Sequence, residues 1–278
     1  MIGKWSHALR VAGAVAAQRW RQSLRYPMNF VLNGVVQPLS WLAPVYFLGR
    51  AFAVDGRVPG LAAYTGSGDF TSFFLSGAIV AGLVGSVLWG MGFALKQQMD
   101  QGVLEANWLT PSSRFAQLVG VSLFDLTYTV VQFAITLGLA AALFGFHPTG
   151  SFWLALGFLV PVIAGLYGFG FALAGAVLLM RDANMLIDTS NFIVNVLSGE
   201  NFPVKVLPPA LLAISLALPT TYAMDGLRGL LLGTRTLWPV TWEFAALCVL
   251  AAWLIVLGRW SFLAVERFCR RRGTLALR

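Results

Sequence analysis

Residues 152–180 read FWLALGFLVPVIAGLYGFGFALAGAVLLM and contain no charged side chain. A bilayer has a hydrocarbon core about 30 Å thick, which roughly 20 apolar residues cross as a helix. The stretch therefore predicts a transmembrane helix. The whole chain has the same character, because 58% of its 278 residues are hydrophobic, 11% are charged and the mean hydropathy is +0.76. Soluble globular domains carry about 25% charged residues, so the composition excludes that class.

The chain contains further apolar stretches long enough to approach or exceed one bilayer crossing. The six predicted spans cover residues 30–49, 70–95, 116–144, 152–180, 183–198 and 242–264. The apolar piece 207–218 is too short to cross, and it predicts a re-entrant or interfacial segment between spans five and six. The expected fold is an all-α polytopic membrane protein, with one transmembrane domain over 1–278, a six-span core over 30–264 and a basic cytoplasmic tail over 265–278.

The basic residues are distributed unevenly between the two sides of this topology. With six spans both termini lie on one side, which carries thirteen of the 19 Lys and Arg residues, against five on the other side and Arg259 within the last span. The positive-inside rule then places both termini in the cytoplasm. A net charge of +8 on a soluble protein would suggest nucleic acid, but here it reports orientation, and no nucleic-acid partner is expected.

Residues 1–26 have the pattern of an amphipathic helix that lies in the lipid headgroup region. At 100° per residue, one face carries apolar side chains, namely Trp5, Leu9, Ala12, Ala16 and Trp20. The opposite face is basic, and Arg19 interrupts the apolar stripe. Pro27 separates this helix from the first span.

Three of the predicted spans carry a one-sided polar stripe. The residues are Asn29, Asn33 and Gln37 in the first span, Asp125, Thr129, Gln132 and Thr136 in the third, and Asn184, Asp188, Asn191 and Asn195 in the fifth. A carboxylate at the centre of a membrane helix is costly, so the two Asp side chains must face protein or water. The stripes indicate either a polar path or subunit seam, or hydrogen bonds between helices.

The predicted cytoplasmic loop 96–115 contains a short helix-compatible segment at 97–109. Leu104 and Trp108 are four residues apart and share one face of that helix. Two interpretations stay open at this point. The apolar face either docks onto a soluble partner, or it lies in the lipid interface with Trp108 among the headgroups.

The sequence offers little material for catalysis within the chain. It has two histidines, His7 and His147, and two cysteines, Cys248 and Cys269, none of them in a metal-binding or nucleophile motif. It contains no G-x-x-x-x-G-K-[ST] phosphate-binding loop and no G-x-S-x-G elbow in a strand–turn–helix setting. We therefore expect no catalytic residue, no metal site and no cofactor bound by this chain.

Two segments resemble the type-two ABC exporter permeases, also called the ABC type-2 permease family. The first is the cytoplasmic loop, where Gly102, Leu104, Glu105, Thr110 and Pro111 match the family's Gly-Thr-Leu-Glu and Thr-Pro pattern. Val103 stands where Thr is usual, and Asn107 where an aliphatic residue is usual. The resemblance implies that this loop forms a coupling helix between spans two and three, with Trp108 on its apolar face.

The second segment lies between the predicted fifth and sixth spans. It matches the family's external stretch at Phe202, Pro203, Pro208, Pro219, Tyr222, Asp225 and Arg228. The resemblance implies small external helices over 203–232. Asp225 and Arg228 are three residues apart on one of them, a spacing that suits either an ion pair or contact with a transported substrate.

The resemblance also implies an assembly. A permease of this family pairs with a second permease chain, identical or not, and with separate ABC ATPase subunits that hold ATP and Mg. Spans two and five line the route, so that Asn184, Asp188, Asn191 and Asn195 become candidate pathway or seam residues. The expected function is ATP-driven export across a bacterial inner membrane, with membrane lipids as surroundings.

Two other functions remain open from the residues themselves. A secondary transporter or channel would use the polar stripes to bind ions and would need no ATPase. An intramembrane transferase acting on lipid would be active as an isolated chain without ATP. The sequence does not identify the transported substrate.

Overall fold

A computed structural model describes residues 2–54, 57–100, 114–144, 150–180 and 183–272. The secondary structure is helical, and within these ranges the sole β-type contact is an isolated bridge between Val54 and Arg57. The helices are α1 (Ile2–Leu24), α2 (Pro27–Val31), α3 (Gln37–Ala51), α4 (Pro59–Thr65), α5 (Phe70–Asp100), α6 (Arg114–Phe144), α7 (Phe152–Val177), α8 (Ala183–Leu197), α9 (Pro209–Ser215), α10 (Pro219–Leu232) and α11 (Val240–Arg272). The predicted all-α class is confirmed.

Four helices of the described chain are long and apolar enough to cross a bilayer. Their apolar parts are Phe70–Phe93, Val119–Leu143, Trp153–Val177 and Val240–Cys269, and α9 with α10 forms a bent pair that could count as a fifth crossing. The predicted second, third, fourth and sixth spans correspond to these four. By length and apolar character the described chain therefore has four or five candidate crossings, and not the six that were predicted.

The first and fifth predicted spans are interrupted or short. Over 30–49 a π-helical turn, Leu32–Val36, separates α2 from α3, so no single α-helix covers the stretch. The fifth predicted span is the 15-residue helix α8, which is shorter than a typical crossing. At the carboxyl end α11 continues beyond the predicted limit at 264 to Arg272, so the last span and the start of the basic tail form one helix.

The helix α5 is at the centre of the packed core. Its side chains Val80, Val84 and Val87 have no exposed surface. It contacts α6, α7, α8 and α10, whereas large apolar side chains of α11, such as Trp253 and Trp260, point away from the protein. A membrane helix that exposes Trp and aliphatic side chains is suited to lipid, so α5 organises the interior and α11 presents a lipid-type surface.

The most extensive helix pair is α7 with α11, and small residues make its close approach possible. Gly165, Gly168 and Gly175 of α7 lie against Ala251, Leu254 and Phe262 of α11, respectively, so the two helices run in the same direction. A Cβ on Gly168 would lie 2.5 Å from the backbone nitrogen of Ile255. Between membrane helices such backbone proximity provides the dispersion energy that replaces the hydrophobic driving force.

We predict that Gly168→Ala destabilises the protein by about 1–3 kcal/mol, because the added methyl forces the α7 and α11 backbones apart. Gly157→Ala is the matched control on the same helix, since a Cβ there meets nothing within 4 Å. It should be neutral or stabilising by up to about 1 kcal/mol, as expected from helix propensity. The measurement is the thermal unfolding midpoint of the purified protein in detergent, and equal midpoints for the two variants would contradict the packing assignment.

Candidate functional site

The predicted coupling residues lie outside the part of the chain that the structure describes. Gly102, Leu104, Glu105, Trp108, Thr110 and Pro111 all fall within 101–113. The structure does place the two helices that this segment connects. The helix α5 ends at Asp100, whose carboxylate pairs with Lys96 at 3.1 Å, and α6 begins at Arg114.

The polar stripe of the fifth predicted span divides into an inner and an outer part on α8. The inner part is Asn195, which is buried and whose Nδ2 donates to Oδ1 of Asn191 at 3.1 Å. Asn191 faces Gly85 of α5. The outer part, Asn184 and Asp188, is exposed on the isolated chain. The structure therefore brings together two of the four predicted residues and leaves the other two on a free face of the helix.

The polar side chains of the third predicted span find some of their hydrogen-bond partners within the same helix. Thr129 and Thr136 are buried on α6, and the hydroxyl of Thr136 donates to the carbonyl of Gln132 at 2.9 Å. Asp125 is half-buried nearer the beginning of α6. The side chains of Asn29, Asn33 and Gln37, which form the stripe of the first predicted span, lie outside the described part of the structure.

The external motif builds a sharp corner between α9 and α10. The two helices meet at 90°, with the buried Pro219 at the first turn of α10, where its missing N–H costs no helical hydrogen bond. Across the corner, the hydroxyl of Thr221 donates to the carbonyl of Ser215 at 2.6 Å, and that of Tyr222 to the carbonyl of Leu216 at 2.8 Å. The motif side chains thus satisfy carbonyls that the end of α9 leaves free.

The remaining prolines of the motif mark the starts of the short helices. Pro203 precedes the 3-10 turn Val204–Val206, and the exposed Pro208 precedes α9. Phe202 is half-buried between α8 and that turn. Each proline either has an extended backbone conformation or stands in the first turn of a helix. Both are compatible with the fixed φ of proline.

Arg228 is the most buried charged side chain of this segment, with 2% of its surface exposed. Its guanidinium donates to the carbonyl of Phe73 at 3.3 Å, to that of Gly199 at 2.7 Å and to that of Glu200. It also lies 3.6 Å from the centroid of the Phe73 ring. One side chain of α10 therefore links the beginning of α5 to the end of α8.

The environment of Arg228 explains how a charge can be buried at this position. Gly199 and Glu200 follow α8 directly, and the carboxyl end of a helix carries partial negative charge that favours a cation. The aromatic face of Phe73 adds a cation–π contact. Gly77 of α5 must be glycine, because a Cβ there would collide with the guanidinium and with the carbonyl of Glu200.

The predicted ion pair between Asp225 and Arg228 is not formed. Within the described residues the guanidinium of Arg228 pairs with no carboxylate, since its donors are directed at carbonyl oxygens. Asp225 instead accepts a hydrogen bond from the backbone N–H of Leu237 and interacts with the carboxyl of Glu243 in the first turn of α11. The ion-pair interpretation was wrong because residues at i and i+3 can diverge toward different neighbouring elements, which spacing on one helix does not reveal. The alternative, contact with a transported substrate, stays a prediction.

Glu243 is a functional candidate that the sequence analysis missed. It has no exposed surface, and its Oε1 accepts from the backbone N–H of Trp238 at 3.1 Å. Together Asp225 and Glu243 hold the connection 233–239 between α10 and α11, and Trp238 stacks on Tyr222 with ring centroids 5.8 Å apart. The available signal was an acidic residue in the first turn of a span, where the helix dipole favours it.

The arrangement is suited to holding helices together. The described residues contain no cluster of three or more His, Cys, Asp or Glu side chains able to hold a metal ion. The contacts of Arg228, Asp225 and Tyr222 join α5, α8, α9, α10 and α11 into one connected cap. Such a cap can transmit or resist a movement of the helices beneath it.

Comparison with known proteins identifies relatives over most of the chain. A family model described as "ABC-2 type transporter" matches residues 11–232. The chain is also similar to a protein named "Nodulation protein J" from Rhizobium leguminosarum bv. viciae. The two are 27% identical over 249 residues, which cover 87% of this chain and 87% of the relative.

We predict that Arg228→Met lowers the free energy of unfolding by about 3 kcal/mol, because it leaves buried carbonyl groups without a donor. Arg228→Lys should lose less, since the ammonium retains the charge and can serve some of the carbonyls. The exposed Arg271→Met is the control and should change stability little. Thermal unfolding midpoints in detergent measure the effect, and a wild-type midpoint for Arg228→Met would refute the linking role.

We also predict that Asp225→Asn retains stability whereas Asp225→Ala loses about 1–3 kcal/mol. The amide of Asn keeps an oxygen for the N–H of Leu237 and supplies an N–H for Glu243. Alanine removes the acceptor that Asp225 provides for the N–H of Leu237 and the polar neighbour of Glu243. A charge-swapped double variant, Asp225→Arg with Arg228→Asp, should be worse than either single variant, and recovery of stability in that double variant would restore the ion-pair model.

Proposed function

The chain belongs to the ABC-2 type transporter family, and from this premise we propose that it is the transmembrane permease subunit of an ATP-driven exporter. The observation that carries the proposal is the family match over residues 11–232, which includes both the loop 96–115 and the segment of α9 and α10. The four long apolar helices fit a multi-pass membrane component. The proposed location is a bacterial inner membrane with both termini in the cytoplasm, supported by the distribution of Lys and Arg.

The proposed topology retains six crossings. The first uses α2, the π turn and α3 as one continuous helical path over 27–51, which is long enough for a tilted crossing. The fifth crossing uses the short helix α8, which spans only part of the bilayer. The corner of α9 and α10 fills the remaining thickness on the external side. Interrupted helices are tolerated at membrane depth where protein satisfies the free backbone groups, as Thr221, Tyr222 and Arg228 do here.

The proposed energy source is a separate pair of ABC ATPase subunits that bind ATP and Mg. The loop helix carrying Leu104, Glu105 and Trp108 would contact the ATPase, with Glu105 opposite a basic group. ATP binding closes the ATPase subunits, and the docked loop moves α5 and α6 as rigid bodies. Nucleotide can shift the permease between two states because the ATPase binds those states with different affinities.

The proposed route lies beside α8, at a seam with a second permease chain. Asn184 and Asp188 are exposed on the isolated chain. The neighbouring apolar side chains of Met185 and Phe192 are each 69% exposed. A carboxylate such as that of Asp188 is not stable against acyl chains. A water-containing route or a second copy of the chain would give the mixed polar and apolar face of α8 a suitable partner.

The cargo is proposed only at the level of its physical class. Polar stripes on helices that also carry many Phe and Trp side chains suit an amphiphilic molecule. The name of the relative, "Nodulation protein J", associates that protein with nodulation and does not define a cargo for this chain. The alternatives are a secondary transporter or channel and a lipid transferase, both of which would act without an ATPase.

The decisive experiment tests dependence on a partner. The chain is purified with and without co-expressed ABC ATPase subunits from the same source and reconstituted into vesicles. We expect co-purification with the ATPase and movement of a fluorescent amphiphile only when both proteins and ATP are present. Uphill transport by the isolated chain would support a secondary transporter, and ATP-independent modification of lipid would support a transferase.

We predict that Glu105→Arg leaves membrane insertion intact and lowers transport-coupled ATP hydrolysis about tenfold, since a reversed charge at a contact opposes docking. Asp100→Arg is the matched control, because it reverses an exposed charge one turn earlier and disrupts only the surface pair with Lys96. The measurement is cargo-stimulated ATP hydrolysis in vesicles. Equal hydrolysis by Glu105→Arg and wild type would remove Glu105 from the proposed contact.

A further inference from the structure

The last helix, α11, is longer than a bilayer crossing requires. Its 33 residues, Val240–Arg272, give a length of about 50 Å at about 1.5 Å per residue. The hydrocarbon core of a bilayer is about 30 Å thick, and a typical tilt of about 20° shortens the projected length of the helix by only about 3 Å. Roughly one third of α11 must therefore lie outside the hydrocarbon core.

The exposed charges of α11 show which end extends beyond the core. Over residues 240–258 the sole charged residue is Glu243, whose side chain is buried. After residue 258 the side chains of Arg259, Arg267 and Arg271 are exposed, and none of the three forms an ion pair within the described part of the chain. An exposed charge is costly among acyl chains, so the carboxyl-terminal third of α11 is the part outside the hydrocarbon core.

One face of α11 changes from apolar to basic along its length. At about 100° per residue, a single stripe of exposed side chains runs along the helix in the order Trp242, Val249, Trp253, Val256, Trp260, Ala264, Arg267 and Arg271. Trp242 and Trp260 are separated by about 27 Å along the helix axis, which matches the thickness of the hydrocarbon core. Because Trp is enriched at both membrane interfaces, these two residues indicate where α11 enters and leaves the core.

Opposite this stripe, the inner face keeps the carboxyl-terminal third of α11 attached to the protein. Gly175 of α7 lies against the backbone of Phe262, and the side chains of Phe262 and Cys269 are 0% and 1% exposed. Both belong to the buried apolar core that contains side chains of α5 and α7. The basic part of the outer face is therefore held in a fixed orientation, as a direct continuation of the lipid-type surface.

We propose that this basic part of the outer face, formed by Arg267 and Arg271 with Arg259 beside Trp260, binds the phosphate groups of anionic phospholipids. Side chains of an α-helix lean toward its amino terminus, so both Arg267 and Arg271 lean back toward the bilayer boundary at Trp260. A guanidinium binds phosphate oxygens through two parallel N–H groups, and its apolar stem can lie along the helix while the charged end reaches the headgroups. The inference needs only a multi-pass protein in a bilayer and does not depend on the proposed transport.

Lipid suits this surface better than a protein does. The basic part follows the apolar part of the same stripe without a break, and Trp253, Val256 and Trp260 are 58%, 70% and 68% exposed. Acyl chains that lie along the apolar part bring their own headgroups to the basic part. A second copy of the chain, docked in parallel by the same face, would instead place arginines against arginines, which like-charge repulsion opposes.

The test measures which lipid the purified full chain binds. Phosphatidylglycerol or phosphatidylcholine is added in detergent, native mass spectrometry gives the amount of lipid bound, and thermal unfolding midpoints follow the stabilisation. The wild type should prefer phosphatidylglycerol. The double variant Arg267→Gln, Arg271→Gln should lose about twentyfold in affinity for it, since each arginine near an anionic headgroup contributes roughly fivefold. Without lipid the double variant should unfold like the wild type, because both side chains are exposed.

The matched control removes the same amount of charge elsewhere. Arg57→Gln with Arg235→Gln alters two exposed arginines of the connecting loops and should leave the lipid preference unchanged. Arg267→Lys with Arg271→Lys should keep most of the preference, since the charge remains. A wild type without preference, an equal loss in the control, or an equal midpoint shift by inorganic phosphate alone would overturn the inference. So would a glutamine variant that keeps the preference and loses an ATPase partner instead, because the surface would then be a protein contact.

A second measurement tests the boundary at Trp260. Val256→Cys and Phe268→Cys are introduced separately in a Cys248→Ala background, and N-ethylmaleimide labelling is followed in vesicles, with the parent chain as the blank. Val256 and Phe268 are 70% and 45% exposed on the isolated chain, and about three turns of helix separate them. The thiol at position 268 lies outside the hydrocarbon core, so it should react at least about tenfold faster than the thiol at position 256. Equal rates would place the boundary elsewhere and overturn the proposed arrangement.

Discussion

The buried guanidinium of Arg228 is the interaction on which the architecture of the segment between α8 and α11 depends. A segment that bends by 90° leaves backbone carbonyls without helical partners, and lipid could not satisfy them. Arg228 supplies donors to carbonyls at the start of α5 and after the end of α8, and Gly77 leaves space for it. Without a multivalent donor at this position, α10 would lose its hydrogen bonds to the start of α5 and to the two carbonyls after α8.

A second constraint is the need for close backbone contact where apolar burial from water contributes little. The helices α7 and α11 approach each other at Gly168 and Gly258, where any side chain would collide with the opposite backbone. The helix α5 follows a different strategy, since its valines are enclosed on all sides by neighbouring helices. The protein therefore combines a rigid, tightly packed interior with lipid-type surfaces on α6 and α11.

These two constraints describe a framework in which polar contacts and close backbone packing hold the helices together. The acidic residues Asp225 and Glu243 bind backbone N–H groups of the connection before α11, and Asp125 of α6 lies against Gly90 of α5. These charged side chains thus serve contacts between structural elements. Membership of the ABC-2 type transporter family places such a framework in transport, and the proposed ATPase partner would supply the energy that the framework conveys.

The sequence alone determined the all-α membrane class and four of the long spans, because these depend on apolar runs along the chain. Only the tertiary structure decided the partners of the polar side chains. Asp225 and Arg228 suit an ion pair by spacing but point to different elements, and Arg228 is far from Phe73 in sequence but lies against its ring. The physical reason is that the desolvation cost of a buried charge is offset by whichever groups the packing brings near it, and helix-to-helix packing is not encoded in local spacing.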